Sequence, residues 1–318
     1  MNHQYTYLRL SVTDRCNFNC FYCRPSARIH FFKKEEVLRL DETLKLAGKF
    51  VSFGIRHIRL TGGEPCLRPD LSDLALGLSS LPGVDILSLT SNGFKLGELL
   101  KDLKKSGVSR VNISLDTLNR GKFKKISGLD GFIKVRDAVF KASVLGFSQV
   151  KINVVVMRHV NDDEILDFVD FGAKNRVDVR FIEYFPVNGS CDAAKDFFVP
   201  TDEVKKKIQN VFGDMVFLGG QKFSGPAQYY RIEGASNRVG FISSVSDFFC
   251  PGCNRLRLSA DGRLYPCLHS DHHVDLKRSL RENNGVALPG LISRLAESKL
   301  LFNKAFCSRR IEMSGIGG

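Results

Sequence analysis

Short β-rich runs alternate with longer amphipathic stretches between residues 5 and 185, and this alternation constrains the fold more than any other feature of the chain. The runs predict six strands, at residues 6–12, 56–61, 85–91, 109–115, 149–156 and 177–183. The stretches between them predict five helices, at residues 41–53, 70–79, 95–106, 131–145 and 163–174. Repeated βα units build a parallel sheet, which is either doubly wound or curved into a partial barrel.

Alternating polar residues in the predicted strands help to decide between these two architectures. In the fourth strand, Asn112, Ser114 and Asp116 alternate with aliphatic residues. A parallel sheet with helices on both faces is apolar on both, and an ordinary closed barrel fills its centre with branched aliphatic side chains. The pattern therefore favours a partial barrel whose lumen holds a large polar ligand. An open sheet with one solvated face is the alternative.

The composition is that of a globular protein with an excess of positive charge. The 318 residues are 43% hydrophobic and 25% charged, which excludes disorder. The formal net charge of +13 predicts an anionic ligand or partner: a nucleic acid, a polyphosphate or an acidic protein. No apolar run reaches the ~18 residues that span a bilayer, and no signal sequence opens the chain. We expect a cytoplasmic protein without membrane contact, with a barrel domain at residues 1–235 and a C-terminal region at residues 236–318.

Three cysteines, Cys16, Cys20 and Cys23, follow the first predicted strand in the segment CNFNCFYC. Structural zinc takes four protein ligands, whereas a four-iron cluster held by three cysteines leaves one iron open to another ligand. This spacing is also the pattern of the radical S-adenosylmethionine enzymes. The segment TGGEP at the end of the second strand strengthens that resemblance, since Gly62 and Gly63 let the backbone approach a ligand closely.

A second cysteine group lies in residues 239–267, where short strands and a hairpin that turns near Asp261 and Gly262 are predicted. This group consists of Cys250, Cys253 and Cys267. Nearby histidines could complete a zinc site, namely His269, His272 and His273. A second iron–sulfur cluster is the other interpretation, and it fits a radical S-adenosylmethionine chain better. The scattered cysteines, Cys66, Cys191 and Cys307, are interpreted as structural thiols.

Cationic residues recur on the predicted polar face of the strands. Arg255 and Arg257 lie two residues apart, so their side chains emerge on one face beside the second cysteine group. They join Arg9, Arg59, Lys151 and Arg180. Guanidinium groups bind phosphates through planar, bidentate hydrogen bonds, and convergence in one lumen favours a triphosphate. Unrelated surface cations and a nucleic-acid-binding stripe are the alternatives.

Longer segments, including LRLSVTDRCNFNCFYC, IRLTGGEP, VNISLDTL and CNRLRLSADGRLYPC with the terminal SGIGG, resemble the GTP 3',8-cyclase family of molybdenum cofactor biosynthesis, within the radical S-adenosylmethionine superfamily. The resemblance covers nearly the whole chain. It implies an α/β fold, a partial (βα)6 TIM-like barrel with a C-terminal extension that carries a second iron–sulfur cluster. Two 4Fe-4S clusters and S-adenosyl-L-methionine are the implied cofactors.

The resemblance also assigns roles to individual residues. The first cluster is assigned Cys16, Cys20 and Cys23, and the second is assigned Cys250, Cys253 and Cys267. Contact with S-adenosylmethionine is assigned to Tyr22, Gly63, Ser114 and Phe185, the last of which replaces a methionine of the family pattern. Contact with GTP is assigned to Arg9, Arg59, Thr90, Lys151, Arg180, Arg255 and Arg257. The terminal Gly317 and Gly318 are expected to reach into the active-site channel, where Arg257 also acts.

The implied reaction begins when an external electron donor, such as flavodoxin or ferredoxin, reduces the first cluster. A 5'-deoxyadenosyl radical then abstracts the ribose 3' hydrogen of GTP, and the product is (8S)-3',8-cyclo-7,8-dihydroguanosine 5'-triphosphate. A downstream cyclic pyranopterin monophosphate synthase is the implied partner, in a monomer or homodimer that binds no nucleic acid. Two alternatives stay open: a radical S-adenosylmethionine enzyme that modifies a peptide with an auxiliary cluster, and a zinc-stabilised basic nucleic-acid-binding protein.

Overall fold

The computed structural model describes residues 5–23, 31–185, 196–219, 225–247, 252–268, 270, 272–283 and 287–298. Several residues of predicted function or chemistry therefore lie outside the described part of the chain: Cys191, Cys250, His269, Cys307, Gly317 and Gly318. No helix in the described part of the chain is long and apolar enough to cross a membrane.

All six predicted strands are present, with ends that differ by at most one residue from those predicted. They are β1 (Tyr7–Ser11), β2 (His57–Thr61), β3 (Ile86–Ser91), β4 (Arg110–Ser114), β5 (Gln149–Val156) and β6 (Asp178–Glu183). Each strand pairs with the next in parallel, and the order in the sheet follows the order in the chain. The prediction of a parallel sheet built from successive βα units is thus confirmed.

Six further strands extend the sheet on both sides. They are β7 (Met215–Phe217), β8 (Gln228–Ile232), β9 (Val239–Ile242), β10 (Arg255–Leu258), β11 (Arg263–Tyr265) and β12 (Val274–Asp275). Strand β10 pairs in parallel with β1, and β9 pairs in parallel with β6. The described residues form one 12-stranded sheet, in which β9 and β10 are not neighbours. The barrel is therefore open along one side, as a partial barrel requires, and β10 and β11 form the hairpin expected around Asp261 and Gly262.

Helices cover the outer face of the sheet. The described residues contain α1 (Leu40–Phe53), α2 (Leu71–Ser79), α3 (Leu96–Lys105), α4 (Arg120–Ser127), α5 (Phe132–Val144), α6 (Ile165–Asn175), α7 (Thr201–Phe212), α8 (Leu276–Asn283) and α9 (Leu288–Ser298). Helix α1 ends as predicted, because Gly54 adopts a left-handed conformation with φ 115°. Helix α4 was not predicted from the sequence: it has eight residues and buries only Phe123, Ile126 and Ser127, so its apolar periodicity is weak.

The two faces of the parallel strands differ as the sequence predicts. The outward residues, such as Leu8, Ile58 and Ile113, are buried in the core between sheet and helices. The inward residues are polar, and many of them are also buried, including Arg59, Asn112, Lys151 and Arg180. The sheet therefore encloses a polar lumen, and the alternative of an open sheet with a solvated face is excluded.

Candidate active site

The loop that carries the first cysteine group runs from the end of β1 across the carboxyl ends of the neighbouring strands. Cys16, Cys20 and Cys23 are all partly buried in this loop, which we call the cysteine loop (residues 12–23). The backbone N–H groups of Asn19 and Phe21 donate to the carbonyls of Ser127 (2.8 Å) and Ile126 (3.2 Å) at the end of α4. The unpredicted helix α4 thus supports one side of the loop.

The two glycines of TGGEP support the other side. The N–H of Gly63 donates to the carbonyl of Thr13 at 2.8 Å, and the N–H of Glu64 donates to that of Arg15 at 2.7 Å. A Cβ atom on Gly63 would lie 2.3 Å from the Arg15 carbonyl oxygen, and one on Gly62 would lie 2.3 Å from that of Thr13. Both positions therefore need glycine because two backbones pack together there, in addition to the close approach to a ligand that the motif predicts.

Glu64 joins this turn to the next strand. Its side chain is fully buried, and its two carboxylate oxygens accept from the backbone N–H of Cys66 (3.0 Å), the hydroxyl of Ser91 (2.7 Å) and the backbone N–H of Asn92 (2.6 Å). Burial raises the pKa of Glu64, and these donors oppose that shift. Cys66 is buried beneath the same turn, as expected for a structural thiol.

Asn92, at the end of β3, reaches back to the cysteine loop. Its side-chain Nδ2 donates to the Sγ atom of Cys16 at 3.7 Å and to Oδ1 of Asn17 at 2.9 Å. Its Oδ1 accepts from the backbone N–H of Phe94 at 3.0 Å. The amide orientation is therefore fixed by three partners.

Tyr22 is held from the opposite side of the lumen. Its hydroxyl donates to Oδ2 of Asp116 at 2.6 Å, while the backbone N–H of Val155 donates to Oδ1 at 2.9 Å. Burial raises the pKa of Asp116 to about 6. Asn161 holds the Asp116 backbone, because its Nδ2 donates to the Asp116 carbonyl at 2.6 Å. The aromatic residue before the third cysteine is thus tied to β4 and β5.

These contacts test whether the cysteine loop fits an iron–sulfur cluster. Three thiols lie on one loop whose backbone is held by β2 and α4 and whose Tyr22 side chain is held by Asp116. No three His, Cys, Asp or Glu side chains among the described residues are grouped closely enough for a metal ion. The ligands of a single ion meet around one atom, whereas a four-iron cluster spreads its thiolates over several atoms. Three thiolates with one iron left open match the chemistry of the cluster.

Two other residues assigned to the cofactor lie at the carboxyl ends of their strands. Ser114 is the last residue of β4, on the same face as Asn112 and Asp116, and is partly buried. Phe185 lies two residues after the end of β6 and is also partly buried. Its neighbour Tyr184 packs with Ile126 and Met157 in a small apolar cluster against which Tyr22 lies. The structure thus brings the ends of β4 and β6 to the same edge as the cysteine loop.

The cations assigned to the substrate lie deeper in the lumen. Arg257, Arg9 and Arg59 are register partners on β10, β1 and β2, so they form a row across three adjacent strands. Arg255 lies two residues before Arg257, and its Nε donates to the Sγ atom of Cys253 at 3.4 Å. Burial and neighbouring Arg255 lower the pKa of Arg257 to about 10. The row connects the second cysteine group to the lumen.

Asn112 and Thr90 position Arg59. The hydroxyl of Thr90 accepts from Nη1 of Arg59 at 3.2 Å, and the Arg59 Nε donates to the hydroxyl of Tyr7. With its amide oxygen turned toward the guanidinium groups, Asn112 accepts from both Arg59 and Arg180. The Nε atom of Arg180 donates to Oδ1 of Asn153 at 2.8 Å. Neutral oxygens therefore orient these two arginines without neutralising them.

Lys151 completes the cationic lumen. The side chain is 1% exposed, and its Nζ lies 4.9 Å from the ring centroid of the fully buried Tyr229. Burial, with nearby Arg180 and Arg59, lowers the pKa of Lys151 to about 5. The register neighbour Asp178 is already paired with Arg238, whose Nη2 donates to it at 2.6 Å. Within the described chain, no carboxylate forms an ion pair with Arg59, Lys151 or Arg180.

Several residues of this site were not assigned a role from the sequence. Glu64, Asn92, Asn112 and Asp116 all lie on the predicted polar face or in the GGEP turn, and their alternation with apolar residues was the available signal. Tyr7 and Tyr229 were missed because aromatic residues resemble core residues in a hydropathy pattern.

The fold and the cysteine loop define the class of the protein. Residues 10–172 match the Radical SAM superfamily, and residues 177–300 match the family Molybdenum Cofactor Synthesis C. The crystal structure of Streptococcus suis SuiB bound to S-adenosylmethionine has a similar fold, with a TM-score of 0.64 at 12% identity. That similarity covers 90% of this chain and 66% of the SuiB chain. The chain is therefore a radical S-adenosylmethionine protein, and a 4Fe-4S cluster with S-adenosylmethionine is the cofactor set of this superfamily.

Two relatives show which family of this superfamily the chain belongs to. A GTP 3',8-cyclase of Moorella thermoacetica is 42% identical over 278 residues, which cover 87% of this chain and 85% of the relative. A GTP 3',8-cyclase of Alkaliphilus metalliredigens is 40% identical over 319 residues, which cover 98% of this chain and 97% of the relative. The chain belongs to the GTP 3',8-cyclase family.

Proposed function

We propose that this protein converts GTP to (8S)-3',8-cyclo-7,8-dihydroguanosine 5'-triphosphate in molybdenum cofactor biosynthesis. The observation that carries the proposal is the group of buried basic side chains in the lumen below the cysteine loop. Arg59 and Arg180 are buried without an ion-pair partner among the described residues, and Lys151 is buried near them as an amine that can take up a proton. Buried like charges are costly unless a counterion compensates them, and the triphosphate of GTP supplies one of sufficient charge.

The arrangement of the lumen supports one direction for bound GTP. The cysteine loop is at the carboxyl ends of the strands, whereas Arg9, Arg59 and Arg257 share a register row inside the barrel. Phosphates held by this row place the ribose toward the cysteine loop. When bound, the cluster and S-adenosylmethionine would supply the radical chemistry that activates the ribose 3' position of GTP. The chain orients the two reactants and excludes water from the space between them.

Tyr22, Gly63, Ser114 and Phe185 are proposed to bind S-adenosylmethionine. Support comes from their common location at the carboxyl-terminal edge of the sheet, next to the cysteine loop. Thr90 and Arg255 are proposed to act with the cationic row on GTP. Thr90 accepts from Arg59, so we assign it the orientation of that arginine as well as substrate contact.

A second 4Fe-4S cluster is proposed on Cys250, Cys253 and Cys267. The supporting contact is the donation from Arg255 to the Cys253 sulfur, which places a guanidinium beside a thiolate at the end of the cationic row. Gly317 and Gly318 are proposed to enter the channel from the chain end. The division at residue 235 is retained as the boundary between barrel and substrate-cluster region.

The proposed electron donor is an acidic protein such as flavodoxin or ferredoxin. Exposed Lys124 and Lys125 lie in the last turn of α4, which is hydrogen-bonded to the cysteine loop on both sides of Cys20. Phe21 and Leu129, beside them, are 37% and 36% exposed. An apolar centre with cationic neighbours suits an acidic partner. The product would pass to a cyclic pyranopterin monophosphate synthase in the cytoplasm.

The test measures 5'-deoxyadenosine release by anaerobically reconstituted protein with S-adenosylmethionine and dithionite, with and without GTP. We expect GTP-dependent release and a product with the mass of GTP. Arg59→Leu should raise the KM for GTP at least tenfold with unchanged iron content, because one buried phosphate contact is lost. Arg136→Leu, at an exposed position on α5, is the matched control.

Two outcomes would contradict the proposal. Release that ignores GTP would keep the radical chemistry and overturn the substrate, and would reopen the interpretation as a peptide-modifying enzyme. Bound zinc without iron or sulfide would overturn the cofactor assignment.

A further inference from the structure

Asn92 contacts a cluster-binding cysteine, although neither the cysteine motif nor the GGEP motif includes it. Its Nδ2 donates to the Sγ atom of Cys16 at 3.7 Å. Hydrogen bonds to cysteine sulfur are among the features that set the reduction potential of an iron–sulfur cluster. They stabilise the reduced state more, since that state carries the additional negative charge.

The amide cannot turn away without losing other contacts. Oδ1 of Asn92 accepts from the Phe94 N–H at 3.0 Å, and the second hydrogen of Nδ2 is directed to Asn17 at 2.9 Å. Its backbone N–H donates to Oε2 of Glu64 at 2.6 Å. The donor is therefore held toward Cys16 by both its side chain and its backbone.

Glu64 extends this arrangement into the core. The same carboxylate accepts from Ser91 and Cys66, so it fixes the turn after β3 relative to the turn after β2. In the turn after β2, the N–H of Gly63 donates to the carbonyl of Thr13 in the cysteine loop. Glu64 is thus connected to the cysteine loop in three ways: directly, by its own N–H to the Arg15 carbonyl, and indirectly through Gly63 and through Asn92.

We infer that Asn92 is a positioning residue that holds the Cys16 thiolate by an N–H···S hydrogen bond and thereby raises the reduction potential of the first cluster. The inference rests on the proposed function, because it requires the cluster on Cys16, Cys20 and Cys23. It assigns to the end of β3 a role in electron entry that is separate from binding of S-adenosylmethionine or GTP.

Potentiometric titration followed by electron paramagnetic resonance tests the inference. Both reconstituted full-length variants, Asn92→Leu and Asn92→Asp, lose the donor. The second keeps an oxygen that can accept from Phe94, so it preserves the turn and separates the hydrogen bond from local structure. We expect one-electron reduction of the cluster to be about tenfold less favourable in Asn92→Leu, which is ~59 mV. Asn92→Asp should lower the potential further, because it adds a negative charge.

Controls make the outcomes distinct. Asn175→Leu removes an amide that donates to Phe171 on α6, away from the cluster, and should leave the potential unchanged. An unchanged potential in both Asn92 variants, with a normal cluster signal, would overturn the role of Asn92 and leave the proposed function intact. A cluster signal absent from the unsubstituted protein as well would instead overturn the proposed function. Loss of signal in Asn92→Asp alone would also count against tuning, because it would mean that Asn92 is needed only to retain the cluster.

Discussion

Lys151 should take up a proton when GTP binds. Burial and neighbouring arginines lower its pKa to about 5, so the amine is neutral above that pH in the protein without substrate. A triphosphate beside it favours the charged form and returns the pKa toward its ordinary value of 10.5. Between these two values, binding therefore requires one proton. Affinity should fall by about tenfold for each unit rise in pH, or ~1.36 kcal/mol per unit.

Isothermal titration calorimetry of the reconstituted protein with GTP measures this linkage directly. Titrations run from pH ~7.5 to ~8.5, above the last phosphate pKa of about 6 and below the ionisation of the guanine N1–H, so that the charge on GTP stays nearly constant. Buffers with different ionisation enthalpies then report the protons taken up, and we expect close to one. The same experiment on Lys151→Met should give none.

Lys205→Met is the matched control for this experiment. Lys205 also lies over an aromatic ring, with Nζ 5.1 Å from the Tyr230 centroid, but it belongs to α7 outside the lumen. Its removal should leave the uptake unchanged. No uptake by the unsubstituted protein, or equal uptake by Lys151→Met, would refute the reasoning.

Three further predictions concern the cysteine loop. Cys20→Ala should abolish 5'-deoxyadenosine release, whereas Cys66→Ala should retain it, and equal loss in both would contradict the ligand assignment. Gly63→Ala should lower the iron content and the unfolding midpoint, because its Cβ would lie 2.3 Å from the Arg15 carbonyl oxygen. Iron analysis and thermal unfolding measure this, and unchanged values would show that the loop can move. The double substitution Lys124→Glu and Lys125→Glu should slow flavodoxin-driven turnover about tenfold at low salt, and it should not affect dithionite-driven turnover. The double substitution Lys101→Glu and Lys105→Glu on α3 is the control. Equal slowing by this control would contradict the proposal that the electron donor binds at α4.

The sequence predicts the six consecutive parallel strands closely because polar and apolar residues alternate along most of each strand. The polar atoms of β4 lie in the lumen only when the strand is in its observed register, as Asn112, Ser114 and Asp116 show. The alternating pattern therefore predicts both the strand and the face that points into the lumen. Helix α4 lacks such a pattern. Its local signals are the N-cap Asn119, whose side chain accepts from the N–H groups of Gly121 and Lys122, and the left-handed Gly128 at its end. Its contacts with the cysteine loop add to these signals. Its absence from the sequence prediction reflects tertiary packing that overrides a weak local signal.

The sequence predicts those parts of the site whose chemistry follows from residue type and spacing. It does not predict those parts that depend on contacts between residues distant in the chain. Three cysteines at short spacing indicate a cluster by themselves. In contrast, the contacts of Asn92 with Cys16 and of Tyr22 with Asp116 join residues 76 and 94 positions apart, and no local pattern predicts such pairs. Asn112 stood in the polar series, but its role as acceptor for two arginines follows only from the curvature that brings β2, β4 and β6 together.

The supports of the cysteine loop have a consequence for maturation. Zinc fingers fold around their metal. Here the cysteine loop is instead hydrogen-bonded to residues that are distant in the chain, namely Gly63, Glu64, Ile126 and Ser127. The thiols therefore acquire their spacing only after β2 and α4 are in place. Iron and sulfide must then enter a largely finished barrel, and the side between the edge strands β7 and β12, where the described sheet does not close, remains available for late assembly.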